Sequence, residues 1–254
     1  MERRIIPEAE TKLVILYALN RLGPVTSMQL LQFLVENDLM NYFTMQLSLC
    51  EMEEQGQIAQ HAHPLGSLLL VTESGAYTLG VFDHRIPASR RQVIDREAPV
   101  WHDRFRAEQQ TPADSYPLAD GGTCIRLRLM EGDDSLLDLL LQLPDENVFT
   151  FLQKRWRSAA QGVYEAVSLA LAEGYTPEAA LPDLPDVATL QKAGHYDWLL
   201  SLTDRPTDPT MTLMLSIPDE HLARYYASRW PSRGEALRDS ILRQLQEADA
   251  EKKS

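Results

Sequence analysis

Cys50-Glu51-Met52-Glu53-Glu54-Gln55-Gly56-Gln57-Ile58 is the stretch that decides the fold. A charged helical run stops at Gly56, the residue type best able to take the left-handed backbone of a helix C-cap. At Ile58 an apolar, β-branched residue opens an extended run. Upstream, Met45, Leu49 and Met52 are spaced by four and then three residues, the inward stripe of a helix from about Tyr42 to Gln55.

The reading extends in both directions from that point. Downstream, Ile58 to His63, the turn Pro64-Leu65-Gly66-Ser67, and Leu68 to Val71 read as a β-hairpin. Thr72-Glu73-Ser74-Gly75 then opens a helix carrying Tyr77, Leu79, Val81 and Phe82. Upstream, Glu10 to Leu22 places Leu13, Leu16, Tyr17 and Asn20 at helical spacing, with Ile15 and Leu19 widening the apolar side, and Gly23-Pro24 ends it. Thr26 or Ser27 caps a second helix to about Asn37, with Leu30, Leu31, Leu34 and Val35 inward, and a turn over Asp38 to Asn41 leads into the third. Three helices, a β-ribbon and a further helix predict a winged helix-turn-helix domain over residues 1–87.

The Cys50–Ile58 stretch, followed by Leu70-Val71-Thr72-Glu73-Ser74-Gly75, resembles a phrase of bacterial regulators of the PadR and MarR types. There a leucine-rich recognition helix ends in Glu-Glu-x-Gly-x-Ile and the second wing strand ends in Leu-Thr-x-x-Gly. A longer resemblance rests on Met40-Asn41-Tyr42-Phe43-Thr44-Met45-Gln46 and Phe82-Asp83-His84-Arg85-Ile86-Pro87. Those segments are similar to a family of small bacterial winged-helix proteins classed as a domain of unknown function. This likeness runs to about Glu173, implies a regulator-like protein, and leaves the C-terminal segment as an addition.

In the usual docking of such a domain the third helix enters the major groove and the wing touches the backbone. The residues expected at that contact are Asn41, Tyr42, Thr44, Gln46 and Ser48 on the helix and His61 and His63 on the wing. Asn and Gln suit adenine edges, and hydroxyls suit either edge. Phosphate contacts normally come from Lys and Arg, yet none occurs between Arg21 and Arg85, a span holding Glu36, Asp38, Glu51, Glu53, Glu54, Glu73 and Asp83. Phosphate contacts would therefore fall to the edges, to Arg3, Arg4 and Lys12 or to Arg85, Arg90, Arg91 and Arg96. His61 and His63, even with Cys50 or His84, lack the spacing of a metal site, and no cofactor is expected.

Residues 88–110 read as a connector helix with Ile94, Ala98, Trp101 and Phe105 on one side and Pro99 as a kink or restart. Trp101 and Phe105 suit a homodimer contact or packing on a second domain. Arg85, Arg90, Arg91, Arg96, Arg104 and Arg106 alternate with Asp95, Glu97, Asp103 and Glu108, the mark of a solvated face.

The remainder repeats with a shift of about 74 residues, giving units at 111–174 and 175–254. Leu141-Gln142-Leu143-Pro144-Asp145-Glu146 matches Leu215-Ser216-Ile217-Pro218-Asp219-Glu220, and Arg155-Trp156-Arg157-Ser158 matches Arg229-Trp230-Pro231-Ser232. Without gaps, about ten of the 35 residues from Leu139 to Glu173 are identical to their partners, and most others keep polarity. Each unit reads as a β-hairpin followed by a helix N-capped by Asp145 or Asp219. Both helices are expected to break after the Trp and to restart at capping boxes, Ser158-x-x-Gln161 and Ser232-x-x-Glu235. Neither hairpin covers its own apolar face, so the two are expected to join in a four-stranded antiparallel sheet with helices on one side, an α+β architecture. Trp156 and Trp230 read as core anchors, with a pseudo-symmetric pocket of aromatic walls, or a dimer or interdomain contact, as the alternatives.

The chain has 254 residues and a net charge of −13, which disfavours avid nonspecific binding of nucleic acid. Met1 to Glu8 does not read as a signal peptide, no apolar run spans a bilayer, and Cys50 and Cys124 are expected as reduced thiols in the cytoplasm. No phosphate loop, catalytic triad or poised carboxylate pair stands out, so no enzyme is expected. The sequence points to a transcriptional regulator binding duplex DNA, with a duplicated domain for assembly or sensing. The alternative is a protein–protein adaptor whose winged helix does not bind DNA.

Overall fold

A computed structural model describes residues 8–119, 121–143, 149–177, 183–193 and 197–247, which form two units, divided between Gln109 and Gln110. The first runs α1 (Glu8–Leu22), β1 (Val25–Thr26), α2 (Ser27–Glu36), α3 (Tyr42–Glu54), β2 (Ile58–His61), β3 (Leu68–Val71), α4 (Glu73–Phe82) and α5 (Ala88–Gln110). The second runs β4 (Ala113–Pro117), β5 (Thr123–Glu131), β6 (Asp134–Leu143), α6 (Phe149–Ala172), β7 (Ala188–Ala193), β8 (Asp197–Thr203), β9 (Met211–Ile217) and α7 (Glu220–Glu247). The architecture is α+β with two antiparallel sheets.

Local chemistry sets the boundaries of the first unit. The α1 helix ends at Gly23 (φ 74°), whose N–H donates to the Leu19 carbonyl at 2.9 Å. A full capping box opens α2: Gln29 N–H donates to Thr26 Oγ1 at 3.1 Å, and Thr26 N–H donates to Gln29 Oε1 at 3.0 Å. At the end of α3, Gly56 (φ 64°) N–H donates to the Glu53 carbonyl at 2.9 Å and Gln57 N–H to the Met52 carbonyl at 2.9 Å. That pair satisfies two orphan carbonyls and turns the chain into β2. The first hairpin strand is shorter than the sequence predicts. It ends at His61, and His63 lies in the turn, where its Nδ1 accepts from Leu65 N–H at 3.2 Å. The two histidines thus do not share a strand face.

The connector helix belongs to the first unit's core. Ile94, Ala98, Trp101 and Phe105 are buried with Phe33, Leu30 and Leu22, and Trp101 meets Phe33 edge-on at 5.9 Å. His102 Nδ1 lies 2.8 Å from the Leu22 carbonyl. Pro99 neither ends nor restarts the helix, which runs unbroken for 23 residues. Its missing N–H costs about 3 kcal/mol, and apolar burial on both sides of it, at Ile94 and Trp101, offsets that cost.

The second unit corrects the four-stranded expectation. Its sheet has six strands in the order β4-β5-β6-β9-β8-β7, because each repeat contributes a further edge strand. Ala113 pairs with Leu127, and Ala188 with Leu202, at equivalent places. The repeats meet where β6 pairs with β9, and Leu139 lies opposite Leu213, its own counterpart at a shift of 74. A pseudo-twofold axis therefore passes through that pair. Alternate residues Ile125, Leu127, Leu137, Leu139, Leu200, Leu202, Leu213 and Leu215 share one core with α6 and α7.

Neither long helix breaks. The α6 helix is continuous over 24 residues and α7 over 28, with Pro231 inside it. Ser158 and Ser232 do not cap a restart; their hydroxyls donate back to the carbonyls of Arg155 at 3.0 Å and Arg229 at 2.9 Å. The apolar stripe continues on both sides, through Trp156, Val163 and Val167 in one helix and Trp230, Leu237 and Ile241 in the other. Asp219 caps α7, its Oδ1 accepting from Leu222 N–H at 2.8 Å, whereas Asp145 lies outside the described residues.

Asp204 organises the β8–β9 turn, accepting from Thr210 N–H at 2.9 Å, Thr210 Oγ1 at 2.5 Å and Met211 N–H at 3.1 Å. Burial pushes its carboxyl up, but these bonds and the nearby Arg205 outweigh that, and its pKa lies below the ordinary value. A depressed carboxyl adds stability that is present above the unfolded value of about 3.9 and lost as pH falls through the folded one. The difference in Tm between the parent and Asp204→Asn should therefore narrow as pH drops below about 4. A difference independent of pH in thermal melts would contradict this account.

Candidate interaction site on the third helix

The candidate residues lie along α3, and its phase decides which of them a partner meets. Asn41 is exposed but acts as the N-cap, its Oδ1 accepting from Thr44 N–H at 3.0 Å. Tyr42 is 49% exposed and touches Phe43 edge-on at 5.5 Å. Thr44 and Gln46 are half-buried on the flanks, and Ser48 is only 4% exposed. Ser48 is thus corrected from an outward residue to a core one. At 100° per residue it falls beside Met45, Leu49 and Met52.

The outermost line holds residues the sequence reading passed over: Phe43 (81% exposed), Leu47 (66% exposed), Cys50 and Glu54. Their spacing of four, three and four residues puts them opposite the buried stripe, and that phase was the signal available in the sequence. The outer face of α3 is therefore apolar, with an acidic end.

The flanking cations are largely engaged. Lys12 Nζ sits 2.7 Å from Glu51 Oε2, and its side chain is mostly buried. Arg21 pairs with Asp95 at 3.0 Å and Arg96 with Glu97 at 2.7 Å, Arg90 donates to the Leu39 carbonyl at 3.2 Å, and Arg91 lies 3.9 Å from Asp83, an ion pair without a hydrogen bond. The Arg21 guanidinium is held above its ordinary pKa, chiefly by its hydrogen bond to Tyr17. Arg3 and Arg4 lie outside the described residues. His61 is exposed on β2, and Glu53 accepts from Gln60 beside it.

The dimer or interdomain contact expected of Trp101 and Phe105, and as an alternative of Trp156 and Trp230, is corrected as well, while the core-anchor reading of Trp156 and Trp230 agrees with their burial. Trp101 and Phe105 are buried within the first unit, and Trp156 and Trp230 within the second. Side chains already enclosed by their own unit have no surface left to offer. Among the described residues no helix is long and apolar enough to cross a membrane.

No curated protein matches the chain. A crystal structure of a hypothetical protein aligns with 96% of this chain and 98% of its own at 12% identity, with a TM-score of 0.23. A likeness that weak carries no argument. The profile of the family described as domain of unknown function DUF4364 matches residues 11–171, from α1 nearly to the end of α6, and so omits the second repeat. That span is more than half of the sequence, and the chain belongs to the DUF4364 family.

Proposed function

We propose that the first unit is a winged helix-turn-helix head used for protein docking, and that the chain is a non-enzymatic adaptor. The order of helices and ribbon from α1 to α4 supports the winged-helix reading, as does the PadR- and MarR-like phrase ending at Gly75. The observation that carries the docking reading is the outer face of α3, where Tyr42, Phe43 and Leu47 stand in solvent with no Lys or Arg between Arg21 and Arg85. Exposed aromatic and aliphatic residues clustered on one helix are the anchors of protein interfaces. The carboxylates of the same span, Glu36, Asp38 and Glu54 among them, fit a partner with an apolar centre and a basic rim. A second copy would bring like charges to this face. The unbridged, exposed Cys50 thiol supports a reducing, cytoplasmic setting.

Duplex DNA is the second reading, favoured by the helix and ribbon order and by Asn41 and Gln46 at the head of α3. It would make the chain a transcriptional regulator, with phosphate contacts supplied from the edges of the head.

The test titrates the full chain at low salt with a synthetic Leu/Lys amphipathic helix, its Leu/Glu twin, and a pool of random duplexes. The Leu/Lys helix should bind and the other two should not. Phe43→Ser and Leu47→Ser should each weaken that binding about tenfold or more, with unchanged Tm because both side chains are exposed. Retention of a duplex, released steeply as salt rises, would instead establish the DNA reading.

A further inference from the structure

The second repeat holds a cavity of about 410 Å³ between the end of β8 and the middle of α7. Asp204 and Arg205 line it from the strand side, and Trp230, Gly234, Glu235 and Arg238 from the helix. Asp204 spends its oxygens on Thr210 and Met211. Arg205 Nε and Arg238 Nη1 stay 3.7 and 4.0 Å from Asp204 Oδ2, attracted but beyond hydrogen-bond reach. Their side chains are 54% and 39% exposed. Two guanidiniums with donor capacity to spare thus line one concavity, a group suited to a carboxylate.

Beneath the cavity Trp230, only 2% exposed, is a fixed support. Trp230 Nε1 donates to the Thr203 carbonyl at 2.7 Å, which sets the ring's orientation. Its ring lies flush on Gly234, where an added Cβ would come within 3.0 Å of Cε2. The first repeat has the same tryptophan, hydrogen-bonded in the same way to the Arg128 carbonyl at 2.7 Å, but not the rest. Leu129, Met130, Ala160 and Tyr164 stand there in place of Asp204, Arg205, Gly234 and Arg238. The charged cavity is therefore a property of the second copy and not a by-product of the repeat.

We propose that this cavity binds a small carboxylate with an apolar body, the carboxylate held by Arg205 and Arg238 and the body resting on Val187 and Pro231, which also line it and keep surface in solvent. Two arginines against Asp204 and Glu235 leave the lining close to neutral, so polyanions such as polyphosphates are disfavoured. Glu235 on the lining adds a place for an amine, which would extend the class from aryl carboxylates to aromatic amino acids.

Calorimetric titration of the full chain with phenylacetate, L-phenylalanine and inorganic phosphate tests this. One of the two aromatic probes should bind saturably, and phosphate should neither bind comparably nor compete. Arg205→Gln and Arg238→Gln should each weaken binding about tenfold, with a Tm near the parent's because each side chain is more than a third exposed and neither approaches Asp204 within hydrogen-bond reach. Tighter binding of L-phenylalanine, lost selectively in Glu235→Gln, places an amine beside that carboxylate; tighter binding of phenylacetate assigns the site to simple aryl carboxylates. Saturable binding of neither aromatic probe overturns the proposal, as does binding unchanged in both arginine variants. Phosphate binding as well as the aromatic probes removes the role given to the apolar lining. Variants of α3 should leave all of these titrations unchanged, so this result and the docking result are read separately.

Discussion

Gly75→Ala is expected to unfold the first unit under conditions where the parent remains folded. Gly75 sits in the first turn of α4, where that helix passes over the start of the ribbon. A Cβ there would lie 2.1 Å from the Gln57 carbonyl oxygen and 3.0 Å from Val71 Cγ1. The carbonyl has no room to retreat: it accepts from Thr72 N–H at 3.1 Å, and Gln57 N–H is itself tied to Met52 in the C-cap of α3. Backbone on backbone cannot be relieved by a rotamer change, so the cost should reach or exceed the about 3 kcal/mol upper range of ordinary overpacking. Gly80 in the same helix is the control, because a Cβ there meets nothing within 4 Å. Gly80→Ala should stabilise by up to about 1 kcal/mol through helix propensity alone. Equal stability of both variants in calorimetric melts would mean that α4 does not approach the ribbon this closely.

Trp156→Ala and Trp230→Ala should be nearly as damaging to the second unit, each costing about 3–5 kcal/mol. Both indoles are almost completely buried between sheet and helix, and each N–H donates to a strand carbonyl at 2.7 Å. The two sites are equivalent by the pseudo-twofold axis, so the two losses should agree closely. Phenylalanine at either position keeps most of the apolar contact but strands the Arg128 or Thr203 carbonyl, for a smaller loss of about 1–3 kcal/mol. Urea titrations that show either alanine variant within 1 kcal/mol (about one typical hydrogen bond) of the parent would contradict the anchoring role.

The parts of this fold that were legible in sequence are those where chemistry and position coincide. Gly56 ends α3, a hydroxyl at Thr26 or Ser27 opens α2, and the paired Pro-Asp-Glu and Arg-Trp motifs disclose the duplication. Edge strands β4 and β7 were hidden because Ala-Asp-Ser-Tyr-Pro has little strand propensity and forms a strand only through backbone pairing with β5; Pro117 is tolerated at the edge. Pro99 and Pro231 misled for the converse reason. Local rules end a helix there, while an apolar stripe that continues past each proline keeps it whole. In the candidate site, residue type outweighed phase. Ser48 is polar but small enough to sit in the core, and Phe43 and Leu47 are apolar but face water. The charged cavity of the second repeat had no sequence trace, since Asp204 and Arg238 converge only after the sheet and α7 are placed.

The Leu139–Leu213 register has a consequence for valency. A polypeptide stopping after one repeat would have to recruit a twin to complete the same sheet, and the resulting particle would display a pair of heads. Here the duplicate occupies the twin's place, so one sheet comes with a single head, and the two halves are free to diverge because no symmetry forces a change in one upon the other.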